Sequence, residues 1–237
     1  MIWENLIMAF LLLSLMAICV ITKRLTFGGA VAAGVVGTIV YAATGIKGVV
    51  LLIVFFTLSV LATAHRKSLK LKLDPSHAQP AGRTAGQVLA NGGIAALMAL
   101  LIILDPSHKI SYTLMMACSL SSALSDTLSS ELGMVYGKKY YNILSFKEDS
   151  KGLNGVISLE GTIIGLIGAA IVGICSSGLT VGALIITVAG LFGNIIDSVL
   201  GATLERKHIM GNNYVNFFNT TAAAVFGWVI HFVYAFT

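Results

Sequence analysis

The stretch Ser125-Asp126-Thr127-Leu128-Ser129-Ser130-Glu131-Leu132-Gly133, with Gly137-Lys138-Lys139 just beyond it, closes a long apolar run. It sits in a chain of 237 residues that is 57% hydrophobic and 11% charged. Two carboxylates at the end of such a run are costly beside lipid, so they mark a functional candidate. A second stretch, Gly193-Asn194-Ile195-Ile196-Asp197-Ser198 through Glu205, ends another apolar run in the same way.

Working outward, a mean hydropathy of +0.90 excludes an ordinary water-soluble domain. Apolar runs near 20 residues recur at Ile2–Ile21, Phe27–Thr44, Gly48–Ala64, Thr84–Leu104, Ile110 to about Leu132, Gly155–Cys175, Leu179 to about Leu204 and Tyr214–Phe236. That length matches the roughly 30 Å hydrocarbon core of a bilayer. The expected fold is all-α, a polytopic transmembrane bundle of about eight spans, forming one integral membrane domain over residues 1–237.

The first run carries Glu4 ahead of it and Lys23-Arg24 behind it, the reverse of a signal peptide's charge order. It therefore reads as a retained span. Loops after spans one, three, five and seven hold thirteen of the fifteen Lys and Arg. The positive-inside bias puts these loops in the cytoplasm and both chain ends outside. The localisation expected is an integral membrane protein, of the plasma membrane in a prokaryote. Its active site would face the cytoplasm, since Arg83, Asp126, Glu131, Asp197, Asn216 and Asn219 all fall toward that side.

The pI near 9.2 does not argue for nucleic acid, because the basic groups occupy short loops that set topology. Cys19, Cys118 and Cys175 lie inside apolar runs without metal-ligand spacing and read as small core residues. Glycines 28, 29, 34 and 37 of the second span suit close helix packing. Pro75 and Pro80 argue against one continuous helix in the loop from His65 to Arg83.

On a helix, Asp126 shares a face with Ser122 and Ser130, while Glu131 lies about 140° round and can serve another partner. Asp197, Gly201 and Glu205 form one stripe beside Asn194 and Ser198. Gly201 leaves room there for a ligand or for a close backbone. Carboxylates with hydroxyl and amide oxygens suit Mg²⁺, which binds through one or two carboxylates plus substrate phosphates. Asp126, Asp197 and Ser130 are the candidate ligands, and nearby basic groups could neutralise phosphate. The structural alternative pairs these acids with Arg83, Lys138 or Arg206. Lys151-Gly152-Leu153-Asn154-Gly155 reads as a phosphate-binding helix start, although no P-loop pattern occurs. The five histidines have no zinc-site spacing.

These residues, in order, resemble a known group. Asp126-x-x-x-Ser130-Glu131-Leu132-Gly133-x-x-x-Gly137-Lys138, Lys151-x-x-x-Gly155 and Leu159-Glu160-Gly161-Thr162 are similar to polytopic lipid kinases: dolichol kinase, CTP-dependent phytol kinase and, more distantly, phosphatidate cytidylyltransferase. Ser158-Leu159 stand where the dolichol-kinase pattern has Lys-Thr. Arg83-x-x-x-Gln87-Val88-x-x-Asn91-Gly92-Gly93, Asp197-Ser198-x-x-Gly201-Ala202 and Asn216-Phe217-x-Asn219-Thr220 more closely resemble the integral membrane family that includes plant phytyl-phosphate kinase.

The resemblance implies phosphoryl transfer from a nucleoside triphosphate, CTP, to an isoprenyl monophosphate. Asp126, Glu131 and Asp197 would be catalytic, with Mg²⁺ as cofactor. Arg83, Asn91, Lys138, Lys151, Asn194, Ser198, Asn216 and Asn219 would hold phosphates and substrate. The partners expected are a membrane lipid phosphate and a nucleotide, with no nucleic acid and with a homodimer left open. The rival readings are a transporter or flippase for a lipid phosphate or ion, and a transferase forming a CDP-lipid.

Overall fold

The computed structural model describes residues 2–73 and 82–235. Helix α6 (Lys109–Tyr136), 28 residues long, runs through the middle of the bundle. Around it stand α3 (Ile46–Ala64), α5 (Ala85–Leu104), α7 (Leu159–Ser177), α8 (Val181–Leu200) and α9 (Asn212–Ala235). A π-helical turn, Gly201–Glu205, continues α8. Helices α1 (Ile2–Ile21) and α2 (Phe27–Thr44) complete the set, with α2 seated on α5. A short helix, α4 (Lys67–Leu73), and a two-stranded hairpin, β1 (Tyr141–Asn142) with β2 (Val156–Ile157), lie outside the long helices.

Among the described residues seven helices are long and apolar enough to cross a membrane: α1, α2, α3, α5, α7, α8 with its π turn, and α9. The fold is thus an all-α polytopic transmembrane bundle. The fifth run expected from the sequence, α6, is the exception in composition. Ser119, Ser121, Ser122 and Ser125 make its middle too polar to face lipid, and all four are fully buried by its neighbours.

Those serines are small, and the neighbouring helices meet them with glycine. A Cβ on Gly190 of α8 would fall 2.0 Å from Ser121 Oγ, and one on Gly193 would fall 2.1 Å from Ser122 Oγ. A Cβ on Gly227 of α9 would fall 2.3 Å from Cys118 Sγ, and one on Gly165 of α7 would fall 2.9 Å from Ser125 O. In lipid, where apolar helices gain nothing from leaving water, such close approach supplies the van der Waals contact that holds helices together. Ser121 Oγ lies within hydrogen-bond distance of both Ala169 O (3.2 Å) and Ile186 O (3.1 Å), tying α6 to two neighbours.

The structure differs from the sequence reading in several places. Helix α6 continues one turn beyond Leu132, and α7 starts at Leu159, not Gly155, because β2 takes the intervening residues. Ser158 caps α7, accepting a hydrogen bond from the Gly161 amide. Cys19 and Cys118 are buried, but Cys175 is exposed on the bundle's outer face. Pro75 and Pro80 lie outside the described residues.

Gly190→Val should push α8 from α6 and abolish recovery of monodisperse protein in detergent, since overpacking a rigid contact costs about 1–3 kcal/mol or more. Gly211→Ala, with no atom within 4 Å of its Cβ, should leave recovery unchanged.

Candidate functional site

One end of the bundle encloses a polar cavity of about 500 Å³. Its walls come from the start of α5 (Arg83, Gln87, Asn91), the end of α6 (Asp126 to Glu131), the end of α8 (Asn194, Asp197, Ser198) and the start of α9 (Asn212, Asn216). The segment Gly152–Ser158 and the π turn close it.

The Arg83 segment is pinned by backbone. Arg83 N donates to Arg24 O (2.9 Å), and Thr26 N donates to Arg83 O (3.0 Å), fixing it to the α1–α2 junction. Gly29 permits this, since its Cβ would meet Arg83 O at 2.3 Å. Thr84 and Gln87 then form a reciprocal capping box that starts α5. Burial pulls the Arg83 guanidinium below its ordinary value, while Glu131 and Asp126 push it back up. Arg83 thus lies in the field of both acids.

Asp126 of α6 and Asp197 of α8 face each other within hydrogen-bond distance. Behind Asp197, Asn219 Nδ2 donates to its Oδ1 (2.6 Å), and Ser122 Oγ donates to Asn219 Oδ1 (3.1 Å). Asn219 is fully buried and sits behind the cavity wall, so it orients Asp197 and does not face the cavity. Asn194 keeps its place because Gly165 lacks a Cβ, which would lie 2.8 Å from Asn194 Nδ2.

Among the described residues, two amide oxygens on the wall have no hydrogen-bond partner. Asn91 donates through Nδ2 to Gln87 O (3.0 Å), but its Oδ1 is buried with no protein donor; Asn216 Oδ1 is the same. Buried acceptors left unpaired cost about 1–3 kcal/mol each, so their persistence beside two carboxylates points to a ligand. No group of three or more His, Cys, Asp and Glu is placed to hold a metal among the described residues. The donor set here is instead two carboxylates with neutral amide and hydroxyl oxygens. That chemistry fits a hard cation shared with a ligand.

The other sequence candidates are placed as follows. Ser130 and Ser198 line the cavity, their hydroxyls donating to Thr127 O (3.2 Å) and Asn194 O (3.2 Å). Glu131 also lines it, but its carboxylate is held by Lys70 of α4. Lys70 is 1% exposed, and its Nζ also donates to Ala62 O (2.8 Å) and Thr63 O (2.9 Å), capping α3. Lys138 and Lys151 stand outside the lining. Lys138 is exposed, and Lys151 Nζ lies 5.2 Å from the centre of the Tyr140 ring. Arg83 is thus the basic side chain that lines the cavity among the described residues.

Sequence reasoning missed Lys70 and the roof. Gly155, at φ 75°, lies against the π turn, where a Cβ on Gly201 would fall 2.9 Å from Gly155 N. The small residue at Gly201 thus serves a close backbone. Arg206 clamps the roof, donating through Nε to Asn154 O (3.1 Å) and through Nη1 to Asp149 Oδ2 (2.9 Å). Asn212, one helical turn before Asn216, was also missed; an i, i+4 amide pair on a helix start was its available signal.

Lys70→Ala should lower the thermal midpoint in detergent, because an unpaired buried carboxylate costs about 3–5 kcal/mol. Adding Glu131→Gln should restore part of that loss. For the roof, Arg206 holds the Asp149 carboxyl below its ordinary 3.8. A depressed carboxylate stabilises the folded form above its unfolded value, and that contribution disappears as pH falls through the folded one. Protection factors for amide exchange in residues 141–157, corrected for the intrinsic rate at each pH, should therefore fall as pH drops below about 4. Arg206→Gln should lower them at neutral pH.

The family model described as integral membrane protein DUF92 matches residues 10–224. An uncharacterized membrane protein of Methanocaldococcus jannaschii is 34% identical, covering 96% of each chain. One from Synechocystis is 30% identical over 85% of this chain and 81% of its own. Protein VTE6, chloroplastic, of Arabidopsis thaliana is 26% identical over 94% of this chain and 70% of its own. No solved structure matches the chain. The chain belongs to the DUF92 family of integral membrane proteins.

Proposed function

We propose that the protein is a membrane phosphotransferase that passes a phosphoryl group from a nucleoside triphosphate, CTP in the first instance, to an isoprenyl monophosphate. The observation that supports this most is the facing pair Asp126 and Asp197, flanked by the unpartnered oxygens of Asn91 and Asn216 and by Arg83. The motif resemblance to phytyl-phosphate kinase supplies the substrate class.

Asp126, Asp197 and Ser130, with the two amide oxygens, would hold Mg²⁺. When bound, the ion would neutralise phosphate charge and act as a Lewis acid toward the transferred phosphoryl group. Arg83 would bind a phosphate, and its own position would be kept by Glu131, itself fixed by Lys70. Asn194, Ser198 and Asn216 would orient ligands through uncharged hydrogen bonds, and Asn219 would aim Asp197. The acceptor phosphate oxygen is already a nucleophile, so the protein's task is to position and to neutralise. With Glu131 paired to Lys70, the carboxyl groups of Asp126, Asp197 and Glu205 face one lining cation, Arg83, so a bound metal ion would help to seat a polyphosphate there.

The reaction forms one P–O bond to the acceptor phosphate and releases the nucleoside diphosphate. A CDP-lipid-forming transferase would release pyrophosphate, and a transporter would release neither. Purified protein with Mg²⁺, labelled CTP and geranylgeranyl monophosphate should yield lipid diphosphate and CDP. Asp126→Asn should lower the rate at least about 100-fold, the scale of a lost charge-stabilising group. Unaltered turnover in Asp126→Asn would remove the carboxylate from the reaction, and pyrophosphate as product would replace the kinase with the transferase.

A further inference from the structure

Beside the polar cavity lies a second space, about 130 Å³ and lined mainly by apolar side chains. Leu12 and Met16 of α1, Gly34 and Gly37 of α2, and Leu52 and Phe56 of α3 form its length. At one end it is bounded by Arg83, Gln87 and Asn91, the same three residues that bound the polar cavity. Arg83, Gln87 and Asn91 thus stand between the two spaces and border both.

The groove exists because of α1. That helix packs chiefly on α2, and only 6% of its apolar window is buried. Gly34 and Gly37 have no Cβ, which would lie 2.6 Å from Met16 Sδ and 3.2 Å from Leu12 Cδ2; the side chains of α1 lean into that room. Thioether and leucine side chains readily re-pack around a guest. Its volume is close to the roughly 150 Å³ of an apolar cavity that accepts benzene, so it admits part of a hydrocarbon chain.

The geometry points to this groove as the seat of the hydrocarbon tail of a single-chain lipid phosphate, with its head at Arg83 in the polar cavity and α1 as the wall past which the chain enters from the bilayer. The argument is continuity and charge. An apolar trough bordered by the arginine that also lines a polar cavity fits an amphiphile with an anionic head. This placement deepens the proposed function and rests on the polar cavity being the phosphate site. The hydrocarbon also fills contacts that an empty trough would forfeit.

The test uses the full chain in lipid nanodiscs with Mg²⁺ and no nucleotide. The probe is hexadecyl phosphate bearing a diazirine in mid-chain. After irradiation, adducts should map to residues 12–19 and 49–57. Excess hexadecyl phosphate should suppress them, and hexadecanol should not. Leu52→Trp, which fills the groove, should cut adduct yield on α1 by about ten-fold, the scale of one or two lost methylene contacts. Adducts confined to the outer faces of α8 and α9, or equal suppression by hexadecanol, would overturn the tail site. Nucleotide plays no part in the readout, so the two ideas fail separately. Groove adducts without phosphoryl transfer to any acceptor would sink the kinase alone. Transfer with adducts elsewhere would sink the groove alone.

Discussion

Holding Asp126 and Asp197 face to face inside a lipid-embedded bundle is the constraint on which the rest of the structure depends. Two like charges that close repel unless positive charge lies between or beside them. The helices that carry them must also come close enough to set the pair. The glycine and serine contacts between α6 and α8 do this, through Gly190 on Ser121 and Gly193 on Ser122. The same Ser122 then reaches through Asn219 to Asp197, so the packing surface and the site share one residue. Packing and chemistry are coupled at that point.

The neighbouring charges divide the remaining work. Lys70 satisfies the end of α3 and the carboxylate of Glu131, leaving Arg83 as the cation of the wall. The hairpin, clamped by Arg206, covers the cavity and limits the reach of water, where a lower effective dielectric strengthens every charge interaction inside. The apolar groove under α1 is bordered by the same arginine. A polar cavity and an apolar groove thus lie on two sides of Arg83, Gln87 and Asn91.

Much of this was legible in the residues because the bilayer imposes length and polarity. The bounds of α1 and α2 follow from apolar runs and flanking charges, and the polar face of α6 from Asp126 and Ser130 at i, i+4. Asp126, Asp197, Asn91, Asn194 and Asn216 stand out as polar groups where lipid would penalise them, and the structure brings all five to one cavity. Lys70 was not legible. It is one lysine in a basic loop, and its burial depends on a short helix folding back under α3. The roof was equally hidden, since two-residue strands carry no periodicity and the meeting of Gly155 with Gly201 is a tertiary fact. Lys138 and Lys151 share the loop with that roof, but their side chains turn away from the cavity.

The central claim, that Asp126 and Asp197 with the Asn91 and Asn216 oxygens form a divalent-cation site, is tested most directly by Mn²⁺ binding followed by electron paramagnetic resonance. The account predicts saturable Mn²⁺ binding that Mg²⁺ displaces and that both Asp126→Asn and Asp197→Asn abolish in folded protein. Mn²⁺ binding of undiminished affinity in both variants would contradict it.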